Sequence, residues 1–202
     1  DTAGIMLRFM ADVRAQTGYE AEMLNLGGGY GVRYVESDPH VDIAAEIASV
    51  AARVRSLCGE LGLSEPMVLM EPGRSIVADA GMTLYTVQAV KTIPGYRRYV
   101  SIDGGMTDNP RYALYRSAYT VLAAEHMGEE SDGVYTVAGR CCESGDMVQE
   151  EVALPPLKRG DILAVCTTGA YNHSMASCYN AVPRPPIVMI DGERDYVAVR
   201  RE

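Results

Sequence analysis

Basic residues are scarce in this 202-residue chain, and lysine is especially so. The 18 lysines and arginines stand against 27 acidic residues, which leaves a formal net charge of −9. This balance argues against a general nucleic-acid-binding protein. Lysine occurs only as Lys91 and Lys158, so any chemistry that needs a reactive lysine has these two candidates in this chain.

Long apolar runs, metal-ligand spacings and cysteine pairs are also missing. No apolar run reaches the roughly eighteen residues of a membrane span, and the start of the chain lacks the basic and apolar blocks of a secretory signal. The 5 cysteines include no C-x-x-C pair, and the 3 histidines are far apart. We therefore expect reduced thiols, no metal site and a cytoplasmic protein that engages no membrane.

Residues 1–80 alternate between helical and strand patterns. Apolar periodicity predicts a helix over 4–16, with Ile5, Phe9 and Met10 on one face, and a helix over 42–61 that ends at Gly62. Short apolar runs at 22–26 and 67–70 predict buried strands, each followed by a loop rich in glycine or proline. This order of elements is typical of a parallel α/β unit.

After about residue 80 the pattern changes to short strands. We predict strands over 82–92, 96–103, 134–140, 161–167, 187–190 and 195–199, with short helices near 110–124 and 172–178. The chain therefore divides into an α/β part, 1–80, and a mostly antiparallel β domain, 81–202. Because a closed α/β barrel needs about 200 to 250 residues, we expect the chain to be the C-terminal part of a larger enzyme.

Glycine dominates residues 27–31, directly after the first predicted strand. A glycine backbone can approach an anion closely and direct several N–H groups at it, so the loop is a candidate phosphate site. A plain tight turn is the alternative. No G-x-G-x-x-G register fits, and neither lysine follows a glycine at the spacing of a P-loop.

Glu71-Pro72-Gly73-Arg74 follows the second predicted strand. The Glu71 carboxylate is suited to keeping a ring nitrogen protonated, and the Arg74 guanidinium is suited to binding a phosphate or carboxylate. A salt bridge on a surface turn is the alternative interpretation.

The predicted β domain carries three further motifs. Arg111 and Tyr115 share a face if 110–116 is helical, and can then bind a carboxylate; a solvated face is the alternative. The Cys142 thiol can donate a proton, and the Glu143 carboxylate can bind an ammonium group. The alternative is a buried cysteine followed by a polar turn. The hydroxyl of Tyr171, at the start of a short helix, can reach a phosphate.

The order and spacing of these motifs resemble the alanine-racemase-like (fold type III) pyridoxal-phosphate decarboxylases, and most closely their diaminopimelate decarboxylase branch. The matching segments, which span nearly the whole chain, are 24–31, 71–77, 103–106, 111–115, 142–146, 169–171 and 175–177. The resemblance implies the C-terminal part of a (β/α)8 barrel followed by a β-sandwich or β-barrel-like domain.

The resemblance also implies roles for individual residues. Those that bind the cofactor, pyridoxal 5′-phosphate, are Gly27, Gly28, Gly29, Glu71, Pro72, Gly73, Arg74 and Tyr171. Those that bind the amino-acid substrate are Arg74, Arg111, Tyr115, Glu143 and Tyr171. The implied catalytic residues are Glu71, which pairs with the pyridinium nitrogen, and Cys142, which donates a proton in the active site of a neighbouring subunit of a homodimer.

The implied reaction is the decarboxylation of meso-2,6-diaminopimelate to L-lysine in lysine biosynthesis. One part of the family pattern is missing, because neither Lys91 nor Lys158 matches the first-strand Tyr-x-x-Lys-Ala motif that carries the Schiff-base lysine. We therefore expect that lysine to lie outside this chain, and the chain to be inactive alone. Tyr112 also stands where the family usually has proline.

Two alternatives stay open. A related decarboxylase of ornithine, lysine or arginine shares these motifs, although ornithine decarboxylases usually carry aspartate at the position of Glu143. The pair of Arg111 and Tyr115 also suits a substrate with a second carboxylate. A non-catalytic regulatory homologue accounts for the missing lysine but has no need of Cys142 or Glu143.

Overall fold

The computed structural model of the chain describes residues 2–201. By their contacts these residues form two compact units. The first contains the chain up to Val32 together with Pro39–Ile76, and the second contains Arg33–Asp38 together with the chain from Val77 onward. Among the helices described, none combines the length and the hydropathy that crossing a membrane requires.

The first unit combines two helices with a pair of short strands. Its elements are α1 (Thr2–Thr17), β1 (Met23–Asn25), α2 (Ile43–Leu61) and β2 (Met67–Leu69), and α3 (Arg74–Val77) follows at its end. β1 and β2 pair in parallel, with Leu24 opposite Val68. The predicted parallel arrangement is confirmed, so both strands end at the same edge. The prediction that both strands are buried is wrong, because β2 is exposed throughout and only Leu24 of β1 is buried.

Helix α2 is capped at both ends, and Gly62 is the predicted C-terminal cap. The Asp42 carboxylate accepts the backbone N–H of Ala45 at 3.0 Å, and Gly62 ends the helix in the left-handed region at φ 65°. Arg14 of α1 donates to the carbonyl oxygens of Leu61, at 3.0 Å, and Gly62, at 2.6 Å. These bonds satisfy carbonyls that a helix end leaves without partners, and they tie the two helices together.

The buried face of α1 differs from the predicted one. Ile5 and Phe9 are 62% and 60% exposed, whereas Leu7 is fully buried and Met10 nearly so. Apolar residues occur on both sides of this helix, so periodicity alone does not select the buried side. Packing decides it: the core consists of Ala3, Leu7, Met10, Leu24, Val54, Leu57, Cys58 and Leu63.

The second unit is built on one six-stranded sheet, in the order β5-β8-β3-β4-β6-β7. The strands are β3 (Met82–Ile93), β4 (Arg97–Ile102), β5 (Val121–Ala123), β6 (Gly133–Ala138), β7 (Met147–Leu154) and β8 (Ile162–Cys166). A separate antiparallel hairpin is formed by β9 (Ile187–Asp191) and β10 (Arg194–Val199). The short helices are α4 (Arg111–Tyr115), α5 (Asn172–Met175) and a 3-10 turn at Tyr179–Ala181.

The pairing is antiparallel except between β4 and β6, which run parallel. The prediction of a mostly antiparallel domain is confirmed, and all six predicted strands are present. Two strands were not predicted, β5 and β7. The prediction of a helix near 110–124 is wrong beyond Tyr115, because residues 121–123 pair with β8 instead.

Residues 33–38 belong to the second unit because they are tied to the segment before β5. The carbonyl oxygen of Tyr34 accepts both the backbone N–H of Thr120, at 3.1 Å, and its hydroxyl, at 2.8 Å. The ring of Tyr34 meets the ring of Tyr119 edge-on, with centroids 5.3 Å apart. The short stretch after the glycine loop therefore contributes an aromatic side chain to the second unit.

Truncation of the α2 core should destabilise the protein far more than truncation of its outer face. Leu57 is 1% exposed and Ile47 is 43% exposed on the same helix. Leu57→Ala is expected to lower the free energy of unfolding by about 2–5 kcal/mol because it leaves a cavity, and Ile47→Ala by about 1 kcal/mol or less. Chemical denaturation of the two purified variants measures the difference, and equal losses would contradict this core.

Candidate active site

The parallel pairing of β1 and β2 brings the first two sequence motifs together. Residues 27–29 follow β1 and Glu71 follows β2, so both leave the sheet at its carboxyl edge. The backbone N–H of Glu71 donates to the carbonyl oxygen of Gly27 at 2.7 Å. Carboxyl edges of parallel strands are where α/β enzymes place their ligands.

Glycine is required at position 28 by close packing. A Cβ atom there would lie 2.2 Å from the carbonyl oxygen of Glu71, which is closer than any side chain can tolerate. Gly27 and Gly29 have φ values of +70° and +92°, a region that other residues rarely adopt. Within the described residues, the N–H groups of Gly28 and Gly29 donate to no protein acceptor, so they are available to an anion.

The Glu71 side chain is held by an amide on the neighbouring strand. Asn25 Nδ2 donates to Glu71 Oε1 at 2.6 Å, while Asn25 Oδ1 accepts the backbone N–H of Gly27 at 2.7 Å. A single side chain thus orients both the carboxylate and the start of the glycine loop. Pro72 and Gly73 form the turn that follows, and Arg74 is the first residue of α3.

Arg111 lies in a box of aromatic rings in the second unit. Only 7% of the residue is exposed, and its Cζ lies 5.9 Å from the ring centroid of Tyr34, 5.6 Å from that of Tyr115 and 5.7 Å from that of Tyr171. The predicted shared face of Arg111 and Tyr115 is therefore present, and the alternative of a solvated face is wrong for Arg111. Tyr115 itself is mostly exposed.

The buried guanidinium has no ionic partner among residues 2–201. None of the ion pairs formed by the described residues includes Arg111. Its Nε is buried without an acceptor, and its Nη2 makes one long contact, 3.4 Å, to the Ser117 hydroxyl. Since a buried charge without a partner is costly, this arrangement suits an incoming carboxylate.

Three polar residues of the second unit, Tyr119, Asn172 and Asn109, are not among the predicted site residues. The Tyr119 hydroxyl donates to Asn172 Oδ1 at 3.3 Å, and burial raises the pKa of Tyr119. Asn172 Nδ2 and both side-chain polar atoms of Asn109 are buried without a partner among the described residues. Asn109 precedes Arg111 by two positions, and Asn172 directly follows Tyr171. Closeness in sequence to a predicted site residue was therefore the only indication that these two asparagines are of interest.

Cys142 and Glu143 lie in the turn between β6 and β7. Both are exposed, so the alternative interpretation of Cys142 as a buried cysteine is wrong. The neighbouring Cys141 is the more enclosed thiol, and burial, together with the negative charge of Asp146, raises its pKa. Within residues 2–201, no three His, Cys, Asp or Glu side chains converge as they would around a metal ion.

Asp146 holds this turn in place. Its carboxylate is buried and accepts the backbone N–H of Cys141 at 2.7 Å and that of Met106 at 2.6 Å. Gly105 and Gly139 line this carboxylate so closely that a Cβ on either would lie within 2.4 Å of it. The turn that presents Cys142 is thus bonded to the loop after β4.

Lys91 and Lys158 both lie in the second unit. Lys91 is in β3, opposite Tyr99 of β4, and the Lys158 side chain is 80% exposed with its amine 4.0 Å from Asp161 Oδ1. The glycine loop and Glu71, in contrast, belong to the first unit.

Comparison with known proteins decides the family. A family profile described as "Pyridoxal-dependent decarboxylase, C-terminal sheet domain" matches residues 10–169. The chain belongs to the pyridoxal-dependent decarboxylases. The expected family and fold class are thereby confirmed.

Curated relatives of this pyridoxal-dependent decarboxylase chain point to one branch. The diaminopimelate decarboxylase of Bacillus subtilis (strain 168) is 43% identical over 100% of this chain and 47% of its own length. That of Halalkalibacterium halodurans is 44% identical over 94% of this chain and 43% of its own length. The chain spans about half the length of the curated relatives it matches.

Solved structures agree with this placement. Diaminopimelate decarboxylase from M. jannaschii, in complex with L-lysine, has a TM-score of 0.86 and 31% identity over 100% of this chain and 45% of that one. The Helicobacter pylori enzyme, also complexed with L-lysine, has a TM-score of 0.81 and 28% identity over 99% of this chain and 47% of that one.

The buried Asp146 carboxylate should be more important for stability than its surface counterparts. In Asp146→Asn one acceptor becomes an N–H donor that faces a backbone N–H, so we expect the free energy of unfolding to fall by about 1–3 kcal/mol. Glu130→Gln, at an exposed position, is the matched control and should stay within about 0.5 kcal/mol of the parent. Thermal or chemical unfolding measures both; a stable Asp146→Asn protein would refute the role.

Proposed function

We propose that this chain is the C-terminal half of a pyridoxal-phosphate-dependent diaminopimelate decarboxylase, a cytoplasmic homodimer that converts meso-2,6-diaminopimelate to L-lysine and CO2. Residues 1–80 then complete a (β/α)8 barrel and 81–202 form its β domain. The observation that carries the proposal is the buried guanidinium of Arg111, which no described carboxylate neutralises.

The environment of Arg111 favours a carboxylate ligand. A guanidinium binds a carboxylate through two parallel hydrogen bonds, and the free Nε supplies one of the donors. Diaminopimelate has a carboxylate that the reaction leaves in place, and L-lysine keeps it. Arg111 and Tyr115 would bind this retained carboxylate, so substrate and product share one anchor.

The first unit fits the cofactor. The N–H groups of Gly28 and Gly29, where no side chain intrudes, suit a phosphate. We assign Gly27, Gly28, Gly29, Gly73 and Arg74 to this phosphate, with Pro72 shaping the turn and Arg74 also reaching a substrate carboxylate. When bound, pyridoxal phosphate supplies the electron sink that accepts the electron pair left by CO2.

Side chains of this chain would control the protons. Glu71, held by Asn25, would keep the pyridinium nitrogen protonated. The Tyr171 hydroxyl would contact phosphate and substrate. In the neighbouring subunit's site, the exposed Cys142 thiol would deliver a proton to the carbon that has lost CO2, and Glu143 would bind the distal ammonium group.

The lysine that anchors the cofactor would come from the part of the protein outside this chain. Lys91 and Lys158 both lie in the second unit, and neither follows a strand of the α/β unit. Apolar side chains of the first unit are also widely exposed, among them Ile5, Phe9, Met23, Met67 and Ile76. Such surfaces fit an α/β unit that continues into further strands and helices of a barrel.

A substrate panel on the full-length protein tests the proposal. Diaminopimelate should be turned over faster than ornithine, lysine or arginine. It alone has a second carboxylate, which stays on the molecule with its ammonium group after the other carboxylate has left as CO2. Arg111→Ala should raise KM for diaminopimelate roughly tenfold or more, while Arg159→Ala, at an exposed position, should not. Faster turnover of ornithine identifies the related branch, and no turnover of any substrate favours the regulatory homologue; either result overturns the proposal.

The phosphate role of the glycine loop predicts a separate effect on cofactor affinity. In Gly28→Ala the new Cβ collides with the Glu71 carbonyl oxygen, so the loop must move and pyridoxal phosphate should bind at least about tenfold more weakly. Gly59→Ala, in α2 with no atom within 4 Å of the new Cβ, should leave the affinity unchanged and stabilise the helix slightly. Cofactor titration followed by absorbance measures both; equal affinities in the two variants would contradict the assignment.

A further inference from the structure

Two successive arginines of β4 each meet a carboxylate and a tyrosine. Arg97 Nη1 donates to Glu150, which also accepts the hydroxyl of Tyr112. Arg98 Nη1 donates to Asp132 at 2.9 Å, and Asp132 also accepts the hydroxyl of Tyr135 at 2.8 Å. The two triads contain the same types of group, although in the second Arg98 Nη1 also donates to the Tyr135 hydroxyl at 3.1 Å. Only the first includes a residue of α4, the helix that carries Arg111.

A bulge in β7 accompanies the Glu150 triad. Tyr135 pairs with Val152 and Val137 with Gln149, so β7 has one more residue than β6 between these points. Within the bulge, Glu151 adopts φ +56°, which is unfavourable for a residue with a side chain. Bulges redirect side chains, and here the neighbouring Glu150 is directed at α4.

Glu150 contacts both ends of α4. It accepts the hydroxyl of Tyr112, near the start of the helix, and lies 3.9 Å from Arg116 Nη1, just after its end. The adjacent Gln149 Oε1 accepts the backbone N–H of Tyr119 at 2.9 Å, which fixes the segment that leads into β5. A helix of 5 residues has too few internal hydrogen bonds to be stable alone, so its position depends on these contacts.

We propose that Glu150, acting through Tyr112, is a positioning residue for carboxylate recognition by Arg111. Tyr112 is 7% exposed and follows Arg111 directly in α4. Its bond to Glu150 fixes the orientation of the helix, and thereby holds the adjacent guanidinium among the rings of Tyr34, Tyr115 and Tyr171. This inference rests on the proposed function, because it assumes that Arg111 binds a substrate carboxylate.

The charge state of Glu150 agrees with this role. The hydrogen bonds from Tyr112 and Arg97 lower the pKa of the Glu150 carboxyl group, and burial followed by the hydrogen bond to Glu150 raises the pKa of Tyr112. At neutral pH the bond therefore joins a protonated phenol to an ionised carboxylate, which is stronger than a neutral hydrogen bond.

The test compares Tyr112→Phe with Tyr135→Phe in the full-length decarboxylase. Each variant keeps its ring and loses the hydroxyl bond to a carboxylate that also accepts from an arginine of β4. Tyr135→Phe loses in addition the bond from Arg98 to the hydroxyl, so it is the more severe of the two changes. Tyr112→Phe should raise KM for diaminopimelate and weaken inhibition by L-lysine by about fivefold to tenfold, with kcat within about twofold of the parent. Inhibition by cadaverine, a diamine without a carboxylate, should be unchanged. Tyr135→Phe should alter none of these quantities.

Variants at Glu150 provide the second arm. Glu150→Ala should reproduce the selective loss of L-lysine binding, and Glu150→Gln, which keeps an acceptor for the Tyr112 hydroxyl, should restore part of it. Thermal midpoints show whether a variant is still folded. A purely structural role for Glu150 would weaken the binding of L-lysine and cadaverine together, whereas misplacement of Arg111 weakens L-lysine alone.

The possible failures are distinguishable. If Arg111→Ala leaves L-lysine inhibition unchanged, the proposed carboxylate site is wrong and this inference falls with it. If Arg111→Ala weakens L-lysine but Tyr112→Phe behaves like Tyr135→Phe, the proposed function stands and the positioning role of Glu150 is overturned.

Discussion

A cation buried without a counter-charge from the part of the chain that the structure describes is the feature on which the second unit's candidate site depends. Removing a guanidinium from water costs several kcal/mol unless other groups compensate. In this chain the compensation comes from the aromatic faces of Tyr34, Tyr115 and Tyr171. A long contact to the Ser117 hydroxyl and the nearby Tyr119 hydroxyl add to it. The burial of Arg111 therefore carries a cost that the rest of the fold must offset, and the proposed carboxylate ligand would supply the missing negative charge.

The surrounding elements share that task. The tyrosine rings come from three separate parts of the chain: the segment 33–38, α4 and the start of α5. The backbone bonds of Tyr34 to Thr120 hold the first of these, and the Glu150 triad holds the second. Glu151, next to Glu150, and Tyr171 have unfavourable positive φ values of +56° and +69°. Strained backbone of this kind is common at functional sites.

The first unit uses a different device, close approach of two backbone segments. Because β1 and β2 are parallel, Gly28 and the carbonyl of Glu71 meet at one edge with no room for a Cβ. Asn25 then fixes both the loop and the Glu71 carboxylate. Asp146 plays the equivalent part in the second unit, where one buried carboxylate binds the N–H groups of two loops.

Local signals were sufficient for some elements and insufficient for others. Helix α2 and its end at Gly62 were predictable, because the apolar spacing and the glycine lie within or directly after the helix. Strand β7 was missed because the bulge at Glu150 and Glu151 breaks the two-residue alternation that marks a strand. The buried side of α1 was misassigned because apolar residues on both sides fit a helix equally well, and only packing against α2 distinguishes them.

The same distinction separates the parts of the candidate site. By itself the sequence determined which groups are present: the glycine loop, Glu71, Arg74, Arg111, Tyr115, Cys142, Glu143 and Tyr171, and only two lysines. The sequence contains this information because each chemical role requires a particular type of residue at its place in the chain. Only the tertiary structure decided that Arg111 is buried without an ion pair among the described residues, that the rings of Tyr34 and Tyr171 lie beside it, and that Glu150 reaches α4. Such contacts join residues tens of positions apart, and their geometry is set by strand register and packing, which no local pattern encodes.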